Sequence, residues 1–169
     1  MISSPAIVNG VVYVGSDDGY LYAIYTANGT KKWASPTGRW VYTSPAVADG
    51  LVYMGIGNTN IYAFDASTGA QKWTFHTGGW VFSSPAVADS VVYVGSNDKK
   101  VYAIYAANGT QKWNFAAGGQ VASSPAVVNG VVYVGSEDGK VYAIGTNIVT
   151  HKFSFPLSQI AWPVSVVRS

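Results

Sequence analysis

Short apolar runs and short polar breaks alternate along the whole chain. Val11-Val12-Tyr13-Val14 and Leu21-Tyr22-Ala23-Ile24 are typical runs, rich in β-branched and aromatic residues. The breaks carry turn residues: Asn9-Gly10, Asp18-Gly19 and Asn28-Gly29 in the first forty positions. No window sustains the 3.6-residue period of an amphipathic helix, so the runs predict strands. Asn-Gly and Asp-Gly between such runs predict tight hairpins, with both turn residues at positive φ.

The pattern repeats every 40 residues. Ser-Pro-Ala recurs at Ser4, Ser44, Ser84 and Ser124, and Tyr-X-Gly at Tyr13, Tyr53, Tyr93 and Tyr133. Tyr22, Tyr62, Tyr102 and Tyr142 each precede an Ala, and Trp33, Trp73 and Trp113 follow, with Phe153 in the fourth slot. Four antiparallel strands per 40-residue unit predict the blade of a β-propeller. We divide the chain into repeats 3–42, 43–82, 83–122 and 123–162 and a tail 163–169. The last repeat is degenerate after about residue 145, and Gln159-Ile160-Ala161 only echoes Gln120-Val121-Ala122. A terminal repeat that leaves the consensus is expected of a cap or a ring-closing blade.

The run Ala63-Phe64-Asp65-Ala66-Ser67-Thr68-Gly69-Ala70-Gln71-Lys72-Trp73 resembles the tryptophan-docking motif of the pyrroloquinoline-quinone (PQQ)-type propeller repeat. Ala23 to Trp33 and Ala103 to Trp113 are close variants, with Tyr25 and Tyr105 where that family often has Asp. The resemblance extends over nearly the whole chain. It implies an all-β propeller that usually closes with about eight blades, whereas this chain supplies four. A two-fold homodimer of half-rings is therefore expected, the alternatives being a closed four-bladed ring or a piece of a larger chain. The family includes quinoprotein dehydrogenases and non-catalytic members of the barrel-assembly lipoprotein type.

Composition narrows the chemistry. The chain is 49% hydrophobic and 11% charged, with a net charge of +2 and scattered lysines, which argues against a nucleic-acid surface. It has no cysteine, and no apolar run of the roughly 20 residues a membrane-spanning helix needs. Its N-terminus carries no basic-then-apolar signal segment, so an extracytoplasmic location, the one expected, would need a leader upstream.

Catalysis is not expected. Glu137 is the sole Glu and lies in a hairpin, Ser136-Glu137-Asp138-Gly139, rather than in a dry pocket. That stretch and Ser16-Asp17-Asp18-Gly19 are too short for a calcium loop. His76 and His151 are isolated, and Asn28-Gly29-Thr30 and Asn108-Gly109-Thr110 fit the glycosylation pattern but serve as turns. Trp33, Trp73 and Trp113, with Gly29, Gly69 and Gly109, are read as blade-docking residues, each ring covering a neighbouring blade.

Candidate binding residues lie where the repeats disagree. The connections between units contain Arg39, Trp40 and Tyr42, then Trp80 and Phe82, then Gln120. With His76 they are expected to rim the central channel and receive a protein or peptide, or simply to plug a narrow channel. The expected function is a non-catalytic binding scaffold without a cofactor. The alternative is a PQQ-binding domain or a remnant of a quinoprotein dehydrogenase.

Overall fold

The computed structural model describes residues 3–145 and 153–156. They form sixteen strands in four antiparallel sheets, each built from four consecutive strands hydrogen-bonded in chain order. Blade 1 contains β1 (Ala6–Val8), β2 (Val11–Gly15), β3 (Tyr20–Tyr25) and β4 (Lys31–Pro36). Blade 2 contains β5 (Ala46–Ala48), β6 (Leu51–Ile56), β7 (Asn60–Asp65) and β8 (Gln71–His76). Blade 3 contains β9 (Ala86–Ala88), β10 (Val91–Gly95), β11 (Lys100–Tyr105) and β12 (Gln111–Ala116). Blade 4 contains β13 (Ala126–Val128), β14 (Val131–Ser136), β15 (Lys140–Gly145) and β16 (Phe153–Pro156). The architecture is a β-propeller half-ring, with the short strands β1, β5, β9 and β13 innermost and adjacent in that order.

The first hairpin of each blade has the expected backbone. Asn9 and Gly10 lie at φ 50° and 74°, and Asp89 and Ser90 at 50° and 57°. The second and third hairpins correct the expectation. Asp18-Gly19 and Asn28-Gly29 place only the glycine at positive φ, because these are longer loops closed by Gly19 N–H to Ser16 C=O and Gly29 N–H to Tyr25 C=O. A bulge in the pairing of β3 with β4, between Ala23 and Ile24, recurs at Ala63/Phe64 and Ala103/Ile104. It keeps Trp33, Trp73 and Trp113 opposite Ala23, Ala63 and Ala103, and Phe153 stands in register opposite Ala143.

Strand alternation gives every blade one face toward the preceding blade and one toward the following blade. At the first junction Tyr13, Leu21, Ala23 and Trp33 meet Val52, Met54 and Phe64. The second junction repeats this with Tyr53, Ile61 and Trp73 against Val92, Tyr102 and Ile104. The third sets Tyr93 and Val101 against Val132, Tyr142 and Ile144. Each fully buried side chain of this size contributes about 1.5–3 kcal/mol, so the junctions hold the molecule together.

Trp33 sits flat on Gly69 of the next blade, where a Cβ would stand 2.7 Å from the indole, and its N–H donates to the Ala66 carbonyl at 3.1 Å. Trp73 repeats the arrangement on Gly109 and the Ala106 carbonyl, at 2.8 Å. Gly29 has no such neighbour, because no blade precedes it among the described residues. The residue before each Ser-Pro-Ala also has a task. Thr43 Oγ1 donates to the Gly55 carbonyl and accepts from its N–H, both at 2.8 Å, and Ser123 treats Gly135 the same way. The motif serine links blades: Ser4 N–H donates to Ser44 Oγ, Ser44 N–H to Ser84 Oγ, and Ser84 N–H to Ser124 Oγ.

Candidate functional site

Each passage from an outer strand to the next inner strand runs over one end of a blade junction. Its middle valine is a plug: Val41, Val81 and Val121 are fully buried against Gly15, Gly55 and Gly95. The residues flanking a buried plug must point away from the junction. Arg39, Trp40 and Tyr42 flank the first plug, and Trp80 and Phe82 the second.

The backbone beneath them is pinned. The Trp80 carbonyl accepts from Asn97 N–H and the Gln120 carbonyl from Glu137 N–H, both at 2.9 Å. Thr37 Oγ1 donates to the Arg39 carbonyl at 2.8 Å, and Thr77 Oγ1 to those of Gly79 and Thr59. Asp98 Oδ2 accepts from Gly78 N–H at 2.9 Å and from the Tyr102 hydroxyl. Side chains on these connections therefore stand on a fixed base.

Four rings form an arc across two junctions. Trp40 meets Tyr42 edge-on at 6.2 Å between centroids, Tyr42 meets Phe82 at 6.0 Å, and Phe82 stacks on Trp80 at 5.7 Å. Trp40 is 62% exposed, Trp80 47% and Phe82 40% in the single chain. Arg39, also exposed, joins Trp40, Trp80, Gly38 and Gly57 around a hollow of about 230 Å³.

Two candidate rim residues stand apart. His76 Nδ1 lies 2.8 Å from Asn60 Oδ1 and 3.1 Å from Thr59 Oγ1, out on β8. Gln120 lines a separate hollow with Ser123, Glu137 and Lys140, and Ala122 ends the aromatic series there. His151 lies outside the described residues. One wall residue escaped the sequence reading. Gly57 occupies the position of Asp17, Asn97 and Glu137, and a Cβ there would stand 2.7 Å from the Trp40 carbonyl oxygen. The signal was available, since the repeats disagree at that position too.

The acids of the hairpins are occupied in the turns. Asp18 accepts from the Tyr22 hydroxyl at 2.7 Å and Asp138 from the Tyr142 hydroxyl at 2.5 Å. These hydroxyls hold both carboxyls below their ordinary pKa. Glu137 is exposed on its turn. Among the described residues no three His, Cys, Asp or Glu side chains converge as metal ligands. A calcium-bound quinone needs carboxylate and amide oxygens beside a flat cleft. The hollow offers a guanidinium and two indoles, and the hollow beside it adds Asp17 and Asp18. Asp18 is held in its turn by Tyr20 N–H and the Tyr22 hydroxyl. With no amide side chain among them, the set does not fit such a group. In a wider hollow of about 700 Å³ at the opposite end, by Tyr13, Lys32, Asp49, Asp65 and Lys72, Lys72 pairs with Asp65 at 3.1 Å and Lys32 donates to the Ala66 carbonyl at 3.3 Å.

The sequence matches the family described as outer membrane protein assembly factor BamB over residues 2–81 and again over 77–151. No curated protein matches it. Among solved structures, BamB from Moraxella catarrhalis superposes with a TM-score of 0.82 at 20% identity, over 90% of this chain and 49% of that one. Quinohemoprotein alcohol dehydrogenase from Comamonas testosteroni gives 0.78 at 18% identity, over 90% of this chain and 34% of that one. The computationally designed Ika4 protein gives 0.73 at 19% identity, over 86% of this chain and 92% of that one. At these identities the superpositions establish the fold alone. The chain spans about half the length of the BamB chain.

Proposed function

Because this chain belongs to the PQQ-type propeller family described as outer membrane protein assembly factor BamB, we propose that it is a non-catalytic propeller module that binds a protein or peptide outside the cytoplasm. The location follows the family description. Its binding surface is the arc Trp40–Tyr42–Phe82–Trp80 with Arg39. The observation that carries the reading is large rings left exposed on a backbone pinned by hydrogen bonds. Tryptophan, tyrosine and arginine dominate binding hot spots because they offer large area at low entropic cost. A fitting segment has an apolar or aromatic side chain for the 230 Å³ hollow and a carboxylate within reach of Arg39.

The test is selection from a phage-displayed random peptide library on the wild-type chain, followed by measurement on a Trp40→Ala/Trp80→Ala variant. The expected result is enriched peptides whose affinity falls roughly thirtyfold in the variant, about 2 kcal/mol, while its thermal midpoint is unchanged. Peptides that bind both proteins equally, or no enrichment, overturn the reading. A rise in thermal midpoint with PQQ and calcium would favour the quinone-binding alternative instead.

A further inference from the structure

The two ends of the described half-ring are unlike each other and complementary. On blade 1 the face away from blade 2 carries Ile7, Tyr22 and Ile24. Ile7 is 65% exposed, and the other two are half-buried. Their counterparts Tyr102 and Ile104, inside a junction, are buried. On blade 4 the face away from blade 3 carries Val128, Tyr133 and Val141. Tyr133 is 40% exposed, while the equivalent Tyr93 is 1% exposed. Each end is thus one half of a junction that the molecule already makes three times over, at blades 1–2, 2–3 and 3–4.

The serine ladder ends in the same way. Among the described hydrogen bonds, Ser124 N–H donates to no group and Ser4 Oγ accepts from none, although the three preceding steps are all made. One end therefore offers the donor, and the other the acceptor, of a fourth identical step.

We infer that a second copy of this chain closes the ring, the blade 4 end of each copy packing on the blade 1 end of the other. The curvature supports closure by two. Four blades superpose on 49% of the BamB chain, so they fan out at the angle used in a propeller twice as long. A head-to-tail contact that closes after two copies is two-fold symmetric and buries both ends. Apolar end faces of this kind otherwise stay open to solvent. The inference does not depend on what the aromatic arc binds.

Sedimentation equilibrium of the 169-residue chain tests it, with Ile7→Asp and Tyr133→Asp variants. The expected wild-type mass is twice the 17.8 kDa of one chain. Each variant is expected to weaken association by roughly a hundredfold or more, because a carboxylate would be buried without a partner. Both should keep the wild-type circular dichroism, since these positions are exposed in the single chain. An equimolar mixture of the two variants restores one intact junction and should associate more strongly than either alone. A wild-type monomer overturns the inference, whether its ends are open or covered by residues 157–169. So does an Ile7→Asp variant that remains fully dimeric, because that outcome excludes the blade 1 face from the contact.

Discussion

Glycine at the end of the second strand sets how closely consecutive blades approach. A Cβ on Gly95 would meet the Val121 carbonyl oxygen and, at 2.5 Å, its Cγ1. The oxygen belongs to backbone held by Val121 N–H donating to the Ser96 carbonyl at 3.1 Å, so it has little freedom to retreat. Gly95→Ala should therefore destabilise the protein by about 2–3 kcal/mol, read from the denaturant midpoint. Gly135 is the internal control. The nearest described atom to its Cβ position is Ser123 Oγ at 3.5 Å, ordinary contact, and Gly135→Ala should change stability by less than about 0.5 kcal/mol. Equal losses at both positions would show that backbone conformation, rather than the plug, demands glycine there. The Tyr-X-Gly repeat was visible in the sequence. Its reason was not, because the plugging valine lies 26 residues downstream and meets the glycine only when blades stack.

Hairpins show how far local chemistry can be read. Asn-Gly and Asp-Gly marked the turns correctly, but backbone type depends on loop length, which was legible only for the shortest ones. Lys99 adopts φ 70° where the sister repeats have Gly19 and Gly139 at 83° and 76°. A side chain in that region costs about 1–2 kcal/mol, and glycine gives back about half of it in unfolded-state entropy. Lys99→Gly should raise stability by about 0.5–1 kcal/mol, seen as a higher thermal midpoint, and a lower midpoint would refute the argument. Tyr25 and Tyr105 replace the Asp of the family motif, and their carbonyls still accept from Gly29 N–H and Gly109 N–H at 2.9 Å. Lys32 and Lys112 lie 5.9 Å from those ring centres, whereas in blade 2 Lys72 pairs with Asp65 instead. A lysine at the same strand position therefore serves either partner. The aromatic arc was only half legible at this scale. Trp40, Tyr42, Trp80 and Phe82 come together because they flank the buried Val41 and Val81 of successive connections, whereas Gln120 flanks Val121 without adding a ring and His76 lies out on β8.

For the whole molecule, the junction between blades 2 and 3 holds the two most strongly raised tyrosines. Burial, aided by the Asp49 charge, pushes Tyr53 up to about 12. Burial, then the hydrogen bond to Asp98, pushes Tyr102 up to about 12 as well. Both belong to the same junction cluster. The folded form holds these phenols neutral, so their contribution is intact below the ordinary tyrosine value near 10 and is lost as pH rises toward 12. Tyrosinate absorbance should show a late step, from Tyr53 and Tyr102, that coincides with loss of the circular dichroism signal. Ionisation of all tyrosines before any unfolding would contradict it. Sequence by itself determined the blade count, the strand order within each blade and the docking tryptophans. Those follow from a two-residue strand period and a forty-residue repeat, and both are local or recurrent. Only the tertiary structure decided which side chains of the connections gather into one exposed arc, why the motif serines recur, and that the two ends of the half-ring are complementary. Those features arise between residues of different blades, where contact depends on the stacking angle rather than on spacing along the chain.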